Sequence, residues 1–503
     1  MTRPARSRDA TPEPAPIGAN GILSVYGLAA LASVLLSLLA IWQNDLINHD
    51  GVLYLRAIEG DAEAIRWIGN WLFYSKLIGW TSAISGLEPE QAAYAVNLLL
   101  DLLLVLAFLR FVGELGGKHS TFVWAALLIL ILPYLNGNRA EIIRDHGYWA
   151  FTLVAMLYYL RLLRNFSWRS LLLWNLFMGV ATLFRIEGIA FLALMPLGLA
   201  LRPVPWKQRL RETAMACLPV AIGLVLLLLA VLLDGGAGNR LTKLLANSQQ
   251  LLEIFTVQVP RKAEKLRDAL LPDLSKSSSV LVLYFAVLLS IAKDLAESLS
   301  WPVTFIILLR GWFPAPRLPD DYARLMVPYA ATSLLVLFIH GSQHFVMVSR
   351  YTMALGLLLL PVAVFALDEF WQRYRRRQVP AWLAVAVFLS LLGLAADSLI
   401  NSSTQKPYIT EAARWAAEHL PPGSRVITDY ETTRLDYYAE KAGGKALRFE
   451  RFRPGKSRLD RFGYAFVRHP DGALAARLDG KEKKTWSSGT GRHDVTIYEL
   501  PHR

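Results

Sequence analysis

The chain has 503 residues, 54% of them apolar and only 18% charged, with a mean hydropathy of +0.35. Soluble domains carry about a quarter charged residues, and here the apolar residues gather in blocks such as Gly21–Ile41, Val220–Leu233 and Met353–Leu367, close to the thickness of a bilayer core. This excludes a soluble enzyme or a nucleic-acid-binding domain as the main reading and assigns the net charge of +13 to membrane topology. The single cysteine, Cys217, excludes an intramolecular disulfide and a Cys-rich zinc site.

The chain opens with Arg3, Arg6 and Arg8, a Pro-rich stretch and then the first apolar run, which reads as a retained signal-anchor behind a cytoplasmic tail over 1–21. Candidate spans follow at Ile22–Ile41, Gln91–Arg110, Thr121–Leu135, Gly147–Leu160, Leu171–Phe184, Gly188–Leu201, Thr213–Leu233, Val280–Leu309, Met326–His340, Tyr351–Phe370 and Ala381–Asp397. Basic connectors set the orientation. Arg161, Arg164 and Arg169 mark one, Arg202, Lys207, Arg209 and Arg211 a second, and Arg373, Arg375, Arg376 and Arg377 a third. The positive-inside rule places all three in the cytoplasm.

That orientation requires Phe184–Gly188 to be an outer turn between two short helices. It also requires Val280–Leu309, interrupted by Lys293, Asp294 and Glu297, to cross once with a broken or interfacial part. The count is then about eleven spans over 22–400, with the N-terminus inside and the C-terminus outside. Residues 50–80 and 239–276 are amphipathic and are expected to form helices along the outer interface. Over 401–503 the character changes. Helix-like Ile409–His419, a Pro-Pro-Gly stop, strand-like Arg425–Thr428, Tyr464–Val467 and Val495–Leu500, and helix-like Gly472–Leu478 describe a small external α/β domain.

The unusual polar residues fall on one side. The first outer turn holds Asn48, His49 and Asp50, and the second holds Arg139, Glu141, Arg144, Asp145 and His146. The third holds Arg185 and Glu187, and the turn before the tenth span holds His340, His344, Arg350 and Tyr351. Acids, imidazoles and guanidiniums at helix ends suit a site at the outer membrane boundary, whereas a transporter places such groups near the midplane on broken helices. Each also has a structural alternative. Asp50 could cap a helix opening at Gly51; Asp145 could pair with Arg144 or Arg139; Arg185 and Glu187 flank a two-helix turn. Asn97 and Asp101 share a face of the second span and read as interhelical hydrogen bonding. His340 and His344 stand one helical turn apart, a spacing that can ligate a divalent metal, but no third ligand is evident and no cofactor is expected. Arg350 offers a planar fork suited to phosphate.

The segment Asn48-His49-Asp50-Gly51-Val52-Leu53-Tyr54, an outer-loop Asp followed by an amphipathic helix, resembles the GT-C polyprenyl-phosphate-sugar glycosyltransferases, in particular the bacterial protein O-mannosyltransferase and aminoarabinose transferase group. Asp145, within Arg139-Ala140-Glu141-Ile142-Ile143-Arg144-Asp145-His146, matches a second acidic position of that group. Phe184-Arg185-Ile186-Glu187-Gly188 is similar to its R-x-E-G turn and Ser349-Arg350-Tyr351 to its late R-Y motif. The C-terminal run from Ala412-Ala413-Arg414-Trp415 to Pro421-Pro422-Gly423-Ser424-Arg425-Val426 is similar as well. One departure stands out: the acidic pair of the first loop is here Asp50-Gly51, without its second carboxylate.

The resemblance implies a GT-C-like polytopic helical protein of the cell inner membrane that inverts a sugar as it moves it from a polyprenyl phosphate to the hydroxyl of a lipid, glycan or protein acceptor. Nucleic acid is not an expected partner. Asp50 and Asp145 would be the catalytic carboxylates, Asp50 as general base. Arg350, with Arg144 and Arg185, would hold the donor phosphate. His49, Tyr54, Glu187, His344 and Tyr351 would line the substrates. Tyr54, Trp67 and Trp71 could stack on sugar or line the lipid entrance, or form an aromatic belt. Two other classes remain open at this point: a transporter or flippase for lipid-linked sugars, and a non-enzymatic membrane scaffold.

Overall fold

The structure, a computed structural model, describes residues 19–233, 252–270, 278–310, 318–400, 407–430, 432–443, 447–468, 472–478, 482–486 and 495–500. The basic N-terminal tail and part of the predicted 239–276 stretch lie outside the described residues.

All eleven predicted spans are helical. α1 (Ala19–Trp42) stops at what we define as the upper end of the bundle. Three short helices follow, α2 (His49–Ile58), α3 (Ala62–Trp67) and α4 (Phe73–Ser85), because Gly60, Gly69 and Asn70 take positive φ and divide the amphipathic stretch. Asp61 starts α3 by accepting from the backbone N–H groups of Glu63 and Ala64. α5 (Pro89–Glu114) opens on a proline, in the turn whose N–H groups need no helical partner. The predicted span Thr121–Leu135 is divided into α6 (His119–Ile131) and α7 (Pro133–Asn138), since Pro133 pushes Leu132 out of the helical region to ψ 112°.

α8 (Asp145–Arg164) and α9 (Trp168–Phe184) pair as a hairpin. α10 (Gly188–Leu194) tightens past Pro196 into a 3-10 segment, Met195–Leu201, and α11 (Trp206–Leu233) follows. Within the predicted 239–276 stretch, a π turn over Ile254–Gln258 leads into α12 (Val259–Leu270). The run Val280–Leu309 is two helices, α13 (Ser279–Leu299) and α14 (Trp301–Leu309), broken at Ser300 with φ 69°. α15 (Asp320–His344), α16 (Ser349–Arg375) and α17 (Ala381–Leu399) complete the bundle.

Among the described residues α1, α5, α13, α15, α16 and α17 are long and apolar enough to cross a membrane, and α6, α9 and Gly188–Leu201 are shorter apolar helices. α8 is the hub: it packs on α5, α9, α15 and α16 and buries Trp149 and Tyr159. α1 and α17 leave Leu28, Leu35, Trp382 and Phe388 exposed, apolar side chains of the kind a bilayer covers. At the lower end Glu114 pairs with Arg161 at 2.6 Å and Arg164 at 3.1 Å, and buried Arg202 pairs with Glu212. The basic connectors after α8 and α10 therefore lie opposite the turns that carry the acids. The chain is a polytopic α-helical membrane protein with a small C-terminal α/β unit.

That unit runs α18 (Pro407–His419), β1 (Arg425–Thr428), α19 (Thr432–Lys441), β2 (Arg448–Arg451), β3 (Tyr464–Val467), β4 (Glu482–Trp486) and β5 (Val495–Glu499). The sheet order is β2-β1-β3-β5-β4, with β1 parallel to β2 and β3, and β5 antiparallel to β3 and β4. The three predicted strands are present. Gly472–Leu478 is not a helix; it holds one 3-10 turn, Ala475–Arg477. α19, β2 and β4 carry too many charges for their short lengths to show an apolar period, and the sequence reading missed them. α19 docks the unit on the upper end: Tyr438 Oη accepts from Ile47 N–H at 2.8 Å, and Lys441 pairs with Glu90 at 2.7 Å.

Candidate active site

The first and second upper turns are bound into one body before any catalytic group is placed. Asn48 accepts from Ile142 N–H at 2.8 Å and donates to Ile142 C=O at 3.3 Å. Asn97 accepts from Tyr74 Oη at 2.7 Å and donates to Glu141 C=O at 2.9 Å, while Asp101 meets His146 Nδ1 at 2.8 Å and lies 3.7 Å from Arg139. Arg139 also donates to Asn136 and to the hydroxyls of Ser33 and Ser37 on α1. Asn97 and Asp101 thus make the interhelical bonds expected of them, and Arg139 and His146 belong to the same buried clamp.

Asp50 follows from this clamp. The N-cap of α2 is Asn48, not Asp50, which sits in the first turn and makes no capping bond. Its charge is still favoured there by the helix dipole. Gly51 has no room for a side chain: a Cβ would lie 2.6 Å from Asn48 Oδ1 and 2.9 Å from Ile142 Cβ. The close approach of the two turns therefore excludes a second carboxylate beside Asp50. The Asp50 side chain is 34% exposed, and Oδ2 accepts from Arg350 Nη1 at 2.7 Å.

Arg350 stands in the first turn of α16 and Arg185 in the break between α9 and α10, where the chain leaves the helix at φ −140°. Arg185 donates to Asp145 Oδ1 and to Glu187 Oε1, each at 2.5 Å. The partner of Asp145 is therefore Arg185, in place of Arg144 or Arg139. Tyr351 lies between the two guanidiniums, its ring centroid 4.5 Å from Arg185 and 5.3 Å from Arg350. His340 packs edge-on to Tyr351 at 4.6 Å.

These groups line one cavity, walled by Arg185, Glu187, Arg350, Tyr351 and His340 on the polar side. Tyr148, Phe191, Leu337, Ala354 and Leu355 form the apolar side. Three polar atoms of the lining have no hydrogen-bond partner among the described residues, Arg350 Nε, Glu187 Oε2 and Ser333 Oγ.

The other predicted residues do not reach the lining. Asp145 is buried behind Arg185 and Asp50 touches the site through Arg350. Arg144 is half-buried at the start of α8, and His49 is half-buried at the start of α2. His344 is exposed beside His340, 4.7 Å between centroids, and among the described residues no three His, Cys, Asp or Glu side chains gather as a metal site. Tyr54 is buried edge-on against Tyr74 at 5.0 Å, and burial pushes its hydroxyl up to about 12. Trp67 is exposed on α3, and Trp71 donates to Leu183 C=O, so the three aromatics do not share a face. The sequence reading missed Tyr148, Phe191, Ala354 and Leu355. Helical spacing was the available signal, for Tyr148 lies three residues after Asp145 and Ala354 three after Tyr351.

No protein-family model and no curated protein matches the chain. Solved structures do, among them the following two. ArnT from Cupriavidus metallidurans, solved bound to undecaprenyl phosphate, is similar over 95% of this chain and 98% of its own, with TM-score 0.54 and 13% identity. The oligosaccharyltransferase of Archaeoglobus fulgidus, solved with a tethered acceptor peptide containing the NVT sequon, is similar over 86% of this chain and 64% of its own, with TM-score 0.52 and 15% identity. At such identities the likeness speaks for the fold alone, and the chain shares the overall fold of these two proteins.

Proposed function

We propose that this chain is an inverting membrane glycosyltransferase that moves a sugar from a polyprenyl-phosphate donor to an acceptor hydroxyl at the external membrane face. The observation that carries the reading is the bond from Arg350 to Asp50, with Arg350 Nε left without a partner in the cavity. A guanidinium has five donor hydrogens. Arg350 can therefore hold the carboxylate through Nη1 and offer the rest of its fork to a phosphate, which brings base and leaving group to one guanidinium.

In this mechanism Asp50 takes the proton of the acceptor hydroxyl as its oxygen bonds the anomeric carbon. The bond from that carbon to the phosphate oxygen breaks on the opposite face, which inverts the centre. The electron pair leaves with the polyprenyl phosphate, whose added charge Arg350 and Arg185 stabilise in a site partly closed to water. Asp145, closed off from the cavity, acts as a positioning residue for Arg185. The supporting likeness is to ArnT, which binds undecaprenyl phosphate in its own structure.

The test incubates purified protein and an envelope extract with labelled polyprenyl-phosphate sugars. Transfer by wild type and none by Asp50→Asn supports the reading. Label that crosses a vesicle membrane with its sugar–phosphate bond intact would replace it with a flippase, and no transfer across the panel would overturn it.

A further inference from the structure

The C-terminal unit carries a second concave site that the mechanism does not use. Residues 447–462 contain six cations against two acids. An open cleft is lined by Arg425, Arg451, Arg453, Lys456, Arg458 and Arg461, with Glu450 and Phe462. Glu450 is taken by its cross-strand neighbour Arg425 at 2.6 Å, and Asp460 by Arg458 at 3.5 Å. Among the described residues Arg451, Arg453, Lys456 and Arg461 have no carboxylate partner.

The cations are held in place by the fold. Arg425 and Arg451 are on the parallel strands β1 and β2, and Arg425 lies 5.1 Å above the Phe462 ring. Arg453 and Lys456 flank the tight turn Arg453-Pro454-Gly455-Lys456-Ser457, in which Lys456 N–H and Ser457 N–H both bond Arg453 C=O, and Arg453 N–H donates to Ser457 Oγ at 2.8 Å. Gly455 takes φ +76°, so the turn needs glycine there, and Pro454 fixes φ beside it. Like charges gathered on short, ordered backbone repel one another, and a concave surface of one sign concentrates counter-ions. Retention signals for the cytoplasm do not account for them, because the unit docks on the same end as the candidate active site.

We propose that this cleft is a binding site for a ligand bearing phosphate groups, held by the forks of Arg451, Arg453 and Arg461 with Lys456 as a further point charge. Forked donors match phosphate oxygens in pairs, and several of them suit a multiply charged anion better than a single carboxylate. A second cleft shares Glu450 with the first and is lined by Arg448, Asp436 and Glu440 of the unit and by Arg56 of α2, the helix that begins beside Asp50. A phosphate-bearing ligand bound at β2 therefore sits on the edge that adjoins the active-site helix.

The probe is inorganic pyrophosphate, titrated by calorimetry into the full chain in nanodiscs of neutral phosphatidylcholine at low salt. An Arg350→Ala background removes the anion site of the cavity from the reading. Arg453→Gln/Lys456→Gln/Arg461→Gln should weaken binding by about tenfold or more, and Glu450→Gln should strengthen it, since it removes the one carboxylate of the lining. In nanodiscs containing phosphatidylglycerol, loss of pyrophosphate binding identifies a lipid headgroup as the source of the phosphate, and unchanged binding identifies a soluble or glycan-borne one. Folded triple variant that binds pyrophosphate as tightly as its parent, or Glu450→Gln that does not change the affinity, overturns the site. A merely structural role for the arginines would move the melting temperature and leave the affinity of folded protein alone.

Discussion

Arg350 and Asp50, 300 residues apart in the chain, meet at 2.7 Å at the upper end of the bundle. The contact joins the first turn of α16 to the first turn of α2 and so couples the proposed base to the proposed phosphate ligand. Neither group is fully buried, with 26% and 34% of their side chains exposed, so the pair can open to substrate at a modest cost.

Asp50→Asn should abolish transfer in a protein that still folds and inserts. The amide keeps the size and can accept from Arg350, but it takes no proton. Loss of a general base costs about 10²–10⁴ in rate. Initial rates with a labelled donor decide it, and activity within a few-fold of wild type would reduce Asp50 to a partner of Arg350.

Arg350→Lys should keep partial activity and Arg350→Ala very little. Lysine retains the charge and loses the planar fork, so it cannot bond Asp50 and phosphate together. Turnover should fall along with donor affinity, because the phosphate gains charge as its bond breaks. Normal kcat in both variants would remove Arg350 from the phosphate site.

Asp145→Ala should lower both stability and activity. It leaves Arg185, whose side chain is 7% exposed, with Glu187 as its one carboxylate partner among the described residues. Removing one member of a buried pair costs about 3–5 kcal/mol. The melting temperature of detergent-solubilised protein should drop. A variant as stable as wild type would show that Asp145 does not hold Arg185.

Stability of the C-terminal unit should fall between about pH 4 and 6. Burial holds the Asp436 carboxyl at about 6, above its ordinary 3.8, although its Oδ1 accepts from Phe449 N–H. The folded state then binds more protons than the unfolded state in that interval, so stability declines as pH rises through it and the penalty is complete above the folded value. Asp436→Asn keeps the bond to Phe449 and should melt higher at pH 7, with a flatter profile from pH 4 to 6. Parallel profiles for the two proteins would count against the assignment.

A C-terminal alkaline phosphatase fusion should be active and a fluorescent-protein fusion dark. The basic connectors and the C-terminal unit lie at opposite ends of the bundle, and cytoplasmic retention of the connectors puts the unit outside. The reverse pattern would invert the whole chain and move the proposed site to the cytoplasmic face.

Local sequence determined a good deal. Blocks of apolar residues at bilayer length named the helices, since a spanning segment must satisfy its backbone internally and leave only apolar side chains to lipid. Pro133, by restricting the residue before it, and Gly60 and Gly69, by their freedom to take positive φ, mark breaks that need no partner. That acids and arginines gather at one end of the bundle was also legible, because helix parity carries every alternate turn to the same end. Tertiary structure alone decided which of those groups meet. Asp145 faces Arg185 rather than its neighbour Arg144, and Arg144, His49 and His344 stay off the cavity although they sit in the same turns. Only the packing of the first turn on the second shows why Gly51 can carry no carboxylate. Such pairings depend on the rotation and approach of helices far apart in the chain, and a short polar turn has the same composition whichever way its side chains point.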